Sequence, residues 1–303
     1  MTFLVPLFFL LCFPLISLQT RIVLTNDDGW AVAQIRAEYT ALKAAGFSVV
    51  LSAPADNRSG TGSSSAIPVP LTQPCEFNTC PTGSPAIGFN ASDPLLNYVN
   101  AFPVDAVRVG IQILAPRLLG GRPDLIFSGS NVGNNLGPGI TGSGTVGAAS
   151  EAALEGFPSI AFSGSSTAQV SYTTLETDPN STASRAAIIY TTLSLTFIQA
   201  LLASPAPILP LGISLNVNYP PTTNCPTASS FSFVLTRIAV NPLATDVTTC
   251  GTNHLPDESS TVRSGGCFAS VSVFNALTKT DVSAATQRVV LNKLTSILTC
   301  LPT

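Results

Sequence analysis

Charged residues are scarce in this sequence. Asp, Glu, Lys and Arg make up 10% of the 303 residues, and the formal net charge is -3. An average globular chain is about a quarter charged. The sequence contains no basic stripe that could hold a nucleic acid polymer and no polybasic segment that could bind a membrane surface. We therefore expect neither a nucleic acid partner nor a membrane anchor.

Histidine is almost absent, since His254 is the only one. This excludes zinc sites built from several histidines and makes His-based catalysis a poor explanation. The sequence also lacks a Gly-x-Ser-x-Gly nucleophile turn and a Gly-x-x-x-x-Gly-Lys-Ser/Thr phosphate loop. Neither a Ser-His-Asp hydrolase nor a nucleoside triphosphatase is therefore expected.

The first twenty residues contain no charged side chain, and their apolar run is broken by Pro6 and Pro14. A membrane helix needs about 20 apolar residues in a row. We predict instead a secretory signal peptide over residues 1–20 and a secreted protein. The glycosylation sequons at Asn90 and Asn180 suit this location and predict a glycoprotein. A third sequon, at Asn57, is expected to lie in the active site and to stay unmodified.

Cleavage of that segment would remove Cys12 and leave an even number of cysteines. The remaining ones are Cys75, Cys80, Cys225, Cys250, Cys267 and Cys300. An even number suits disulfide formation in an oxidising compartment. Cys75 and Cys80 are expected to pair locally, while the sequence leaves the other pairings open.

Short apolar runs alternate with segments of helical periodicity along most of the chain. The predicted strands are 21–25, 48–53, 124–128, 159–163 and 212–217, and the predicted helices are 31–45, 104–114, 144–154 and 184–202. This alternation predicts an α/β fold with a Rossmann-like, doubly wound, mostly parallel sheet. We predict one domain over 21–303, with a core of about 21–220.

The last part of the chain, about 221–303, has a different composition. It is rich in Ser and Thr, and it holds four of the six remaining cysteines. One further strand is predicted over 268–274 and a terminal helix over 282–298. We interpret this part as a Cys-containing extension of the core, because no Pro/Gly linker or charge run marks a domain boundary.

Polar loops follow several of the predicted strands. They are residues 26–29, 57–65 and 128–135, together with 141–145 at the start of a helix. The carboxyl ends of parallel strands meet at one edge of a sheet, which is where such sheets bind ligands. Considered alone, Asp27-Asp28-Gly29 fits an ordinary turn and Ser143 fits a helix N-cap. Their occurrence at the same edge favours a functional site.

Each loop has a chemical use at that edge. Asp27 and Asp28 are costly to bury without a partner, and in a chain with few Lys and Arg a divalent cation is a natural one. Oxygen donors favour Mg²⁺ or Mn²⁺, with Ca²⁺ also suitable, over zinc. Ser143, Gly144 and Thr145 at a helix N-terminus suit a phosphate group. A metal beside a phosphate site predicts metal-assisted phosphoester hydrolysis.

Five motifs in order carry a resemblance to a known family. They are Leu24-Thr25-Asn26-Asp27-Asp28-Gly29, Asn57-Arg58-Ser59-Gly60, Ser128-Gly129-Ser130-Asn131-Val132-Gly133-Asn134-Asn135, Ser143-Gly144-Thr145-Val146 and Asn216-Val217-Asn218-Tyr219-Pro220. Together they resemble the SurE family of metal-dependent phosphatases and nucleotidases. The secretory start and the cysteines look like its fungal, acid-phosphatase-like branch.

The resemblance implies a set of site residues. The metal ligands would be Asp27, Asp28, Ser59 and Asn131, and the phosphate contacts would be Asn135, Ser143, Gly144 and Thr145. It further implies hydrolysis of nucleoside monophosphates or other phosphate monoesters. It also allows a homodimer or a higher homo-oligomer.

Two functional hypotheses follow. The first is a secreted, divalent-metal-dependent phosphomonoesterase in which Asp27 and Asp28 are catalytic and Asp28 orients or deprotonates the attacking water. The alternative is a non-catalytic secreted binding protein that keeps the SurE-like fold. Trp30, which follows the acidic pair, is expected to pack in the interior rather than to stack on a base.

Overall fold

The structure is a computed structural model that describes residues 19–165 and 168–302. Except for Gln19 and Thr20, the predicted signal peptide lies outside the described residues, and so does Cys12.

One sheet organises the described part of the chain. Its strands are β1 (Arg21–Thr25), β2 (Ser48–Pro54), β3 (Ile87–Asn90), β4 (Asp93–Val99), β5 (Leu125–Val132), β6 (Ser159–Gly164), β7 (Ile213–Tyr219), β8 (Ser232–Thr236), β9 (Phe268–Asn275), β10 (Thr280–Asp281) and β11 (Leu298–Thr299). Their spatial order is β11-β8-β9-β7-β6-β5-β1-β2-β4-β3, and β10 pairs with β9.

The six central strands, from β4 to β7, are all parallel. The chain runs outward from β1 to β2 and β4, then returns to the other side of β1 as β5. This reversal is the topological switch point at which open α/β sheets bind ligands. The predicted fold class, a Rossmann-like and mostly parallel sheet, is confirmed.

Strand β1 shows why these apolar runs become central strands. Ile22 and Leu24 belong to the hydrophobic core on one face of the sheet, whereas Val23 belongs to the core on the other face. Successive side chains of a strand point to opposite faces, so a run that is apolar throughout is buried on both sides. The sheet therefore needs a helical layer on each face.

Helices cover the two faces of the sheet, and the predicted helices 31–45, 144–154 and 184–202 are each found within two residues of the expected bounds. The helices are α1 (Ala33–Ala44), α2 (Pro103–Val109), α3 (Ala115–Leu118), α4 (Gly144–Leu154), α5 (Thr174–Thr177), α6 (Thr182–Leu202), α7 (Glu258–Val262) and α8 (Ala284–Leu294). A π-helical segment joins α2 to α3, so the predicted helix 104–114 is not a single α-helix. Among the described residues, α6 alone has the length and hydropathy of a membrane span, and half of that window is buried within the protein, as in a core helix.

The structure differs from the sequence predictions in four places. The β3–β4 hairpin was not predicted, because Pro94 and the polar residues around it hide the strand pattern. The strand predicted over 124–128 continues to Val132, and the terminal helix ends at Leu294 rather than 298. The residues after 220 add β8, β9 and β11 to the same sheet beyond β7.

Three disulfides connect the six cysteines of the described chain. Cys75 pairs with Cys80, Cys225 with Cys267, and Cys250 with Cys300. The local pairing of Cys75 with Cys80 agrees with the prediction. The other two bonds close loops with sequence separations of 42 and 50 residues in the C-terminal region.

Two glutamates on helices are buried. Glu38 on α1 accepts a hydrogen bond from the Ser130 hydroxyl at 2.7 Å, and Glu258 on α7 accepts one from the Gly137 N–H at 2.6 Å. Burial raises the pKa of each carboxyl to about 8, because the charged form loses hydration. Both side chains therefore favour the protonated form in the folded state.

Stability is expected to fall as the pH rises from about 4.5 to 8. Over this range the folded state holds protons on Glu38 and Glu258 that the unfolded state has released, so the stabilisation is complete below the unfolded pKa and is lost through the folded pKa. Glu38→Gln should flatten this dependence, since the amide stays neutral throughout. The check is the melting temperature at pH 4.5 and 8. Equal slopes for Glu38→Gln and wild type would contradict it, and the exposed Glu176→Gln is the control.

Candidate active site

Two adjacent carboxylates lie at the switch point, directly after β1. Asp27 and Asp28 are 2% and 0% exposed. Asp27 Oδ1 accepts a hydrogen bond from the Thr145 hydroxyl at the start of α4. Asp28 Oδ2 accepts one from the Val132 N–H at the end of β5, at 2.8 Å. The acidic pair is thus held from β5 and from α4, the two elements that follow the chain reversal.

The electrostatics of the pair are unfavourable without a cation. Burial raises the pKa of Asp27, partly offset by hydrogen bonds from Thr145 and from the backbone of Gly144. Burial, followed by repulsion from Asp27, raises the pKa of Asp28 well above its ordinary range. Within residues 19–165 and 168–302, no Lys or Arg forms an ion pair with either carboxylate. The pair therefore lacks a positive partner from the described chain.

Asn131 supplies an oxygen that is also without a partner. It is 8% exposed, its Nδ2 donates to Gly133 O at 2.6 Å, and its Oδ1 is buried without a hydrogen bond. A bulge after Ser128 interrupts the pairing of β5 with β6, and bulges of this kind re-aim side chains at sites. Asn131 precedes Val132, whose N–H holds Asp28, so its amide oxygen and the two carboxylates belong to one edge of the sheet. Such oxygens are a donor set that fits a hard divalent cation such as Mg²⁺ or Mn²⁺.

The predicted phosphate-binding segment lies beside this set. Ser143 is the N-cap of α4, and its Oγ accepts from Val146 N at 3.1 Å, so the capping interpretation of Ser143 holds. A Cβ on Gly144 would lie 2.8 Å from Asp27 Cβ, which explains why only glycine fits there. The Thr145 side chain is fully buried on Asp27, so its hydroxyl positions the carboxylate, and its backbone N–H faces the same group.

Two predicted residues make their side-chain contacts elsewhere. The hydroxyl of Ser59, which is exposed, donates to Asn57 Oδ1 at 2.8 Å rather than to a carboxylate. The loop itself is tied to the site, because the Arg58 N–H donates to Asp27 O at 2.7 Å. Asn135 Nδ2 donates to Ser163 Oγ at 2.8 Å, toward the end of β6.

Two residues at the site, Gln169 and Glu76, were not predicted from the sequence. Gln169 Nε2 donates to Asp28 Oδ1, while Gln169 Oε1 accepts from Asn57 Nδ2 at 2.8 Å, so this side chain bridges two of the polar loops. Glu76 adds to the repulsion that raises the pKa of Asp28, and its own pKa is raised to about 8 by burial and then by Asp56. The available signal for Gln169 was its place after the strand 159–163, since the polar loops follow other strands in the same way.

Trp30 belongs to the interior, as expected from its sequence context. It is 3% exposed, its ring lies 5.2 Å from that of Tyr98 in an edge-on contact, and its Nε1 donates to Thr79 Oγ1 at 3.0 Å. An indole that is covered in this way has no face left for a base to stack on.

Comparison with known proteins gives a consistent result over most of the chain. A family profile described as "Survival protein SurE" matches residues 22–245. An acid phosphatase of Yarrowia lipolytica is 35% identical over 288 residues, which cover 84% of this chain and 79% of that protein. The similarity therefore extends into the region after residue 220.

Bacterial relatives match a shorter stretch. The 5'-nucleotidase SurE of Lawsonia intracellularis is 40% identical over 143 residues, which cover 47% of this chain and 50% of that protein. Among solved structures, the SurE protein from Aquifex aeolicus superposes with a TM-score of 0.58 at 25% identity, covering 84% of this chain and 93% of that one. The sequence comparisons and the structural comparison therefore lead to the same family.

Proposed function

This chain belongs to the SurE family, and on that premise we propose that it is a divalent-metal-dependent phosphatase of phosphate monoesters, nucleoside monophosphates among them. The names of its relatives, an acid phosphatase and a 5'-nucleotidase, support a phosphatase or nucleotidase activity. The observation that carries the proposal is the buried Oδ1 of Asn131 and the two buried carboxylates at the same sheet edge, for which the described residues provide neither a hydrogen-bond donor to that oxygen nor a cation.

The proposed ligands of the cation are Asp27, Asp28 and Asn131, with Ser59 brought to the same edge by its loop. Mg²⁺ or Mn²⁺ at this position would polarise the phosphoryl group and lower the pKa of a water molecule. The chain's own residues hold the ligands in place: Thr145 fixes Asp27, and Gln169 together with the Val132 N–H fixes Asp28.

The polar groups around the carboxylates suit a phosphate ester. The first turn of α4 presents the backbone of Gly144 beside Asp27, and a helix N-terminus stabilises negative charge. A cavity of about 460 Å³ opens next to Asn135 and is lined also by Asn134, Ser165 and Arg263. Its size lies within the range of small-molecule sites, and we assign it to the alcohol part of the ester.

The test is phosphate release from p-nitrophenyl phosphate and from a panel of nucleoside monophosphates by the purified protein. We expect EDTA to abolish the activity and added Mg²⁺ or Mn²⁺ to restore it. Activity that persists in EDTA would contradict the metal requirement. Silence from folded protein with every metal would instead favour a non-catalytic binding protein.

We also propose that the protein is secreted and glycosylated. Three disulfides in the described chain are typical of an oxidising compartment. Asn180 is exposed in the turn before α6, where a glycan has room, whereas Asn57 is held by Gln169 at the site. Peptide mapping of protein from the culture medium tests both points, and an unmodified intracellular protein would contradict them.

A further inference from the structure

Glu76 brings a third carboxylate to the edge of the proposed metal site. Gly29, the residue after Asp28, has a φ of +120°, and a Cβ built on it would overlap Glu76 Oε2. The carboxylate therefore occupies the space that a side chain at position 29 would fill. Because Gly29 follows Asp28 directly in the chain, the Glu76 carboxyl lies at the edge of the acidic pair.

The described chain provides no partner for the outer oxygen of Glu76. Its Oε2 is buried and accepts no hydrogen bond from the described residues. Within residues 19–165 and 168–302, no Lys or Arg forms an ion pair with it. A buried oxygen without a hydrogen-bond donor is costly.

A second observation points to a cation at the same place. Asn131 is 8% exposed, and its Oδ1 is buried without a partner on the β5 side of the acidic pair. Amide and carboxylate oxygens that have no partner among the described residues can both be stabilised by a hard cation and its hydration water.

The loop that carries Glu76 is held by a disulfide and by several hydrogen bonds. The Cys75–Cys80 disulfide closes it, and the Cys75 N–H donates to Cys80 O at 2.9 Å. The Glu76 N–H donates to Ala55 O at 3.0 Å, which fixes the loop to the end of β2. The Thr79 hydroxyl donates to Glu76 O at 2.7 Å and accepts from Trp30 Nε1. The backbone of Glu76 is thus held in place by its own N–H and C=O and by the neighbouring disulfide, and its side chain takes no part in these contacts.

We propose that Glu76 takes part in binding the divalent cation, as a third acidic group facing its hydration shell, and that the Cys75–Cys80 disulfide positions it. The inference rests on the proposed function for the presence of a cation. Mg²⁺ keeps several of its water molecules in proteins, and a carboxylate beside the ligands can accept hydrogen bonds from that water. Glu76 is therefore a positioning residue for the hydrated ion.

The first test is calorimetric titration of the metal-free protein with Mn²⁺, which does not depend on catalysis. Glu76→Gln keeps the shape of the side chain and removes its charge, and it should weaken Mn²⁺ binding about 10- to 100-fold. Glu176→Gln, at an exposed position on α5, is the matched control and should bind like wild type. An unchanged affinity in Glu76→Gln overturns the inference, whereas wild type that does not bind Mn²⁺ overturns the proposed metal site itself.

Thermal unfolding separates cation binding from a structural role. In EDTA, Glu76→Gln should melt at the same temperature as wild type or higher, because a neutral amide carries no uncompensated charge in this buried position. With Mn²⁺ its melting temperature should rise less than that of wild type, because weaker binding stabilises less. A lower melting temperature in EDTA, with an unchanged rise on adding Mn²⁺, would assign Glu76 a structural role only and overturn the inference.

A double-mutant cycle tests the disulfide. Cys75→Ala/Cys80→Ala should weaken Mn²⁺ binding in the wild-type background and have little effect in the Glu76→Gln background, because the disulfide acts through Glu76. Equal losses in the two backgrounds would overturn the positioning role. If the double alanine variant does not fold, Thr79→Val, which removes the hydroxyl that holds Glu76 O, takes its place in the same cycle.

Discussion

Replacing Asp28 with Asn is expected to lower kcat/KM for phosphate ester hydrolysis by about 10³-fold, since a bound metal supplies several kcal/mol of transition-state stabilisation. Asp28 is fully buried and is held by the Val132 N–H and by Gln169. The amide is nearly the same size, so the loops should keep their places while the site loses a negative charge. Steady-state kinetics with saturating Mg²⁺ or Mn²⁺ measure the effect.

The same variant should be more stable than wild type when metal is removed. Burial and repulsion from Asp27 raise the pKa of Asp28, so a neutral side chain removes a cost that the folded state bears without a cation. Thermal unfolding in EDTA tests this, and Asp178→Asn, at an exposed position before α6, is the control. Full activity of Asp28→Asn on every phosphate ester would end the proposal that the acidic pair is catalytic.

A methyl group at position 144 is expected to lower kcat/KM by about 10²-fold, because a displacement of about 1 Å in a catalytic group can cost that much. The Cβ of Gly144→Ala would lie 2.8 Å from Asp27 Cβ, 2.9 Å from Asp27 Oδ2 and 3.0 Å from Pro103 Cγ. Asp27 and the first turn of α4 must therefore move apart, so metal affinity should fall together with activity.

Gly142→Ala is the matched control for this prediction. It lies two residues earlier, its φ is negative, and a Cβ there meets only Gly139 O at an ordinary 3.8 Å. Activity and Mn²⁺ affinity should stay close to wild type. If Gly144→Ala behaved like Gly142→Ala, the close approach of α4 to Asp27 would have no role in the site.

The parts of the site that could be predicted are those formed by residues that are adjacent in the sequence. Asp27 and Asp28 follow an apolar run and precede a helical pattern, and Ser143 opens an Ala-rich helix that begins at Gly144 in the structure as predicted. Periodicity and capping act over a few residues, so they can be read without knowing the fold.

The contact between Thr145 and Asp27 could not be predicted from such local patterns. The sequence places Thr145 at a helix N-terminus, a position that suits phosphate, but the structure buries its hydroxyl on Asp27. The partner lies 118 residues away along the chain. The Thr145 hydroxyl could donate to a bound phosphate or to Asp27, and tertiary packing determines which of the two it contacts. The residues near Thr145 in the sequence do not reveal that packing.

The α/β class, the acidic pair after the first strand and the local Cys75–Cys80 pairing follow from the amino-acid sequence alone. The extension of the sheet by β8, β9 and β11 and the pairing of the C-terminal cysteines are known only from the folded structure. The same holds for the approach of Gln169 and Glu76 to Asp28, from loops that carry no recognisable motif. Hydrophobic periodicity relates residues that are close in sequence, whereas these contacts join residues that become neighbours only after the sheet has formed.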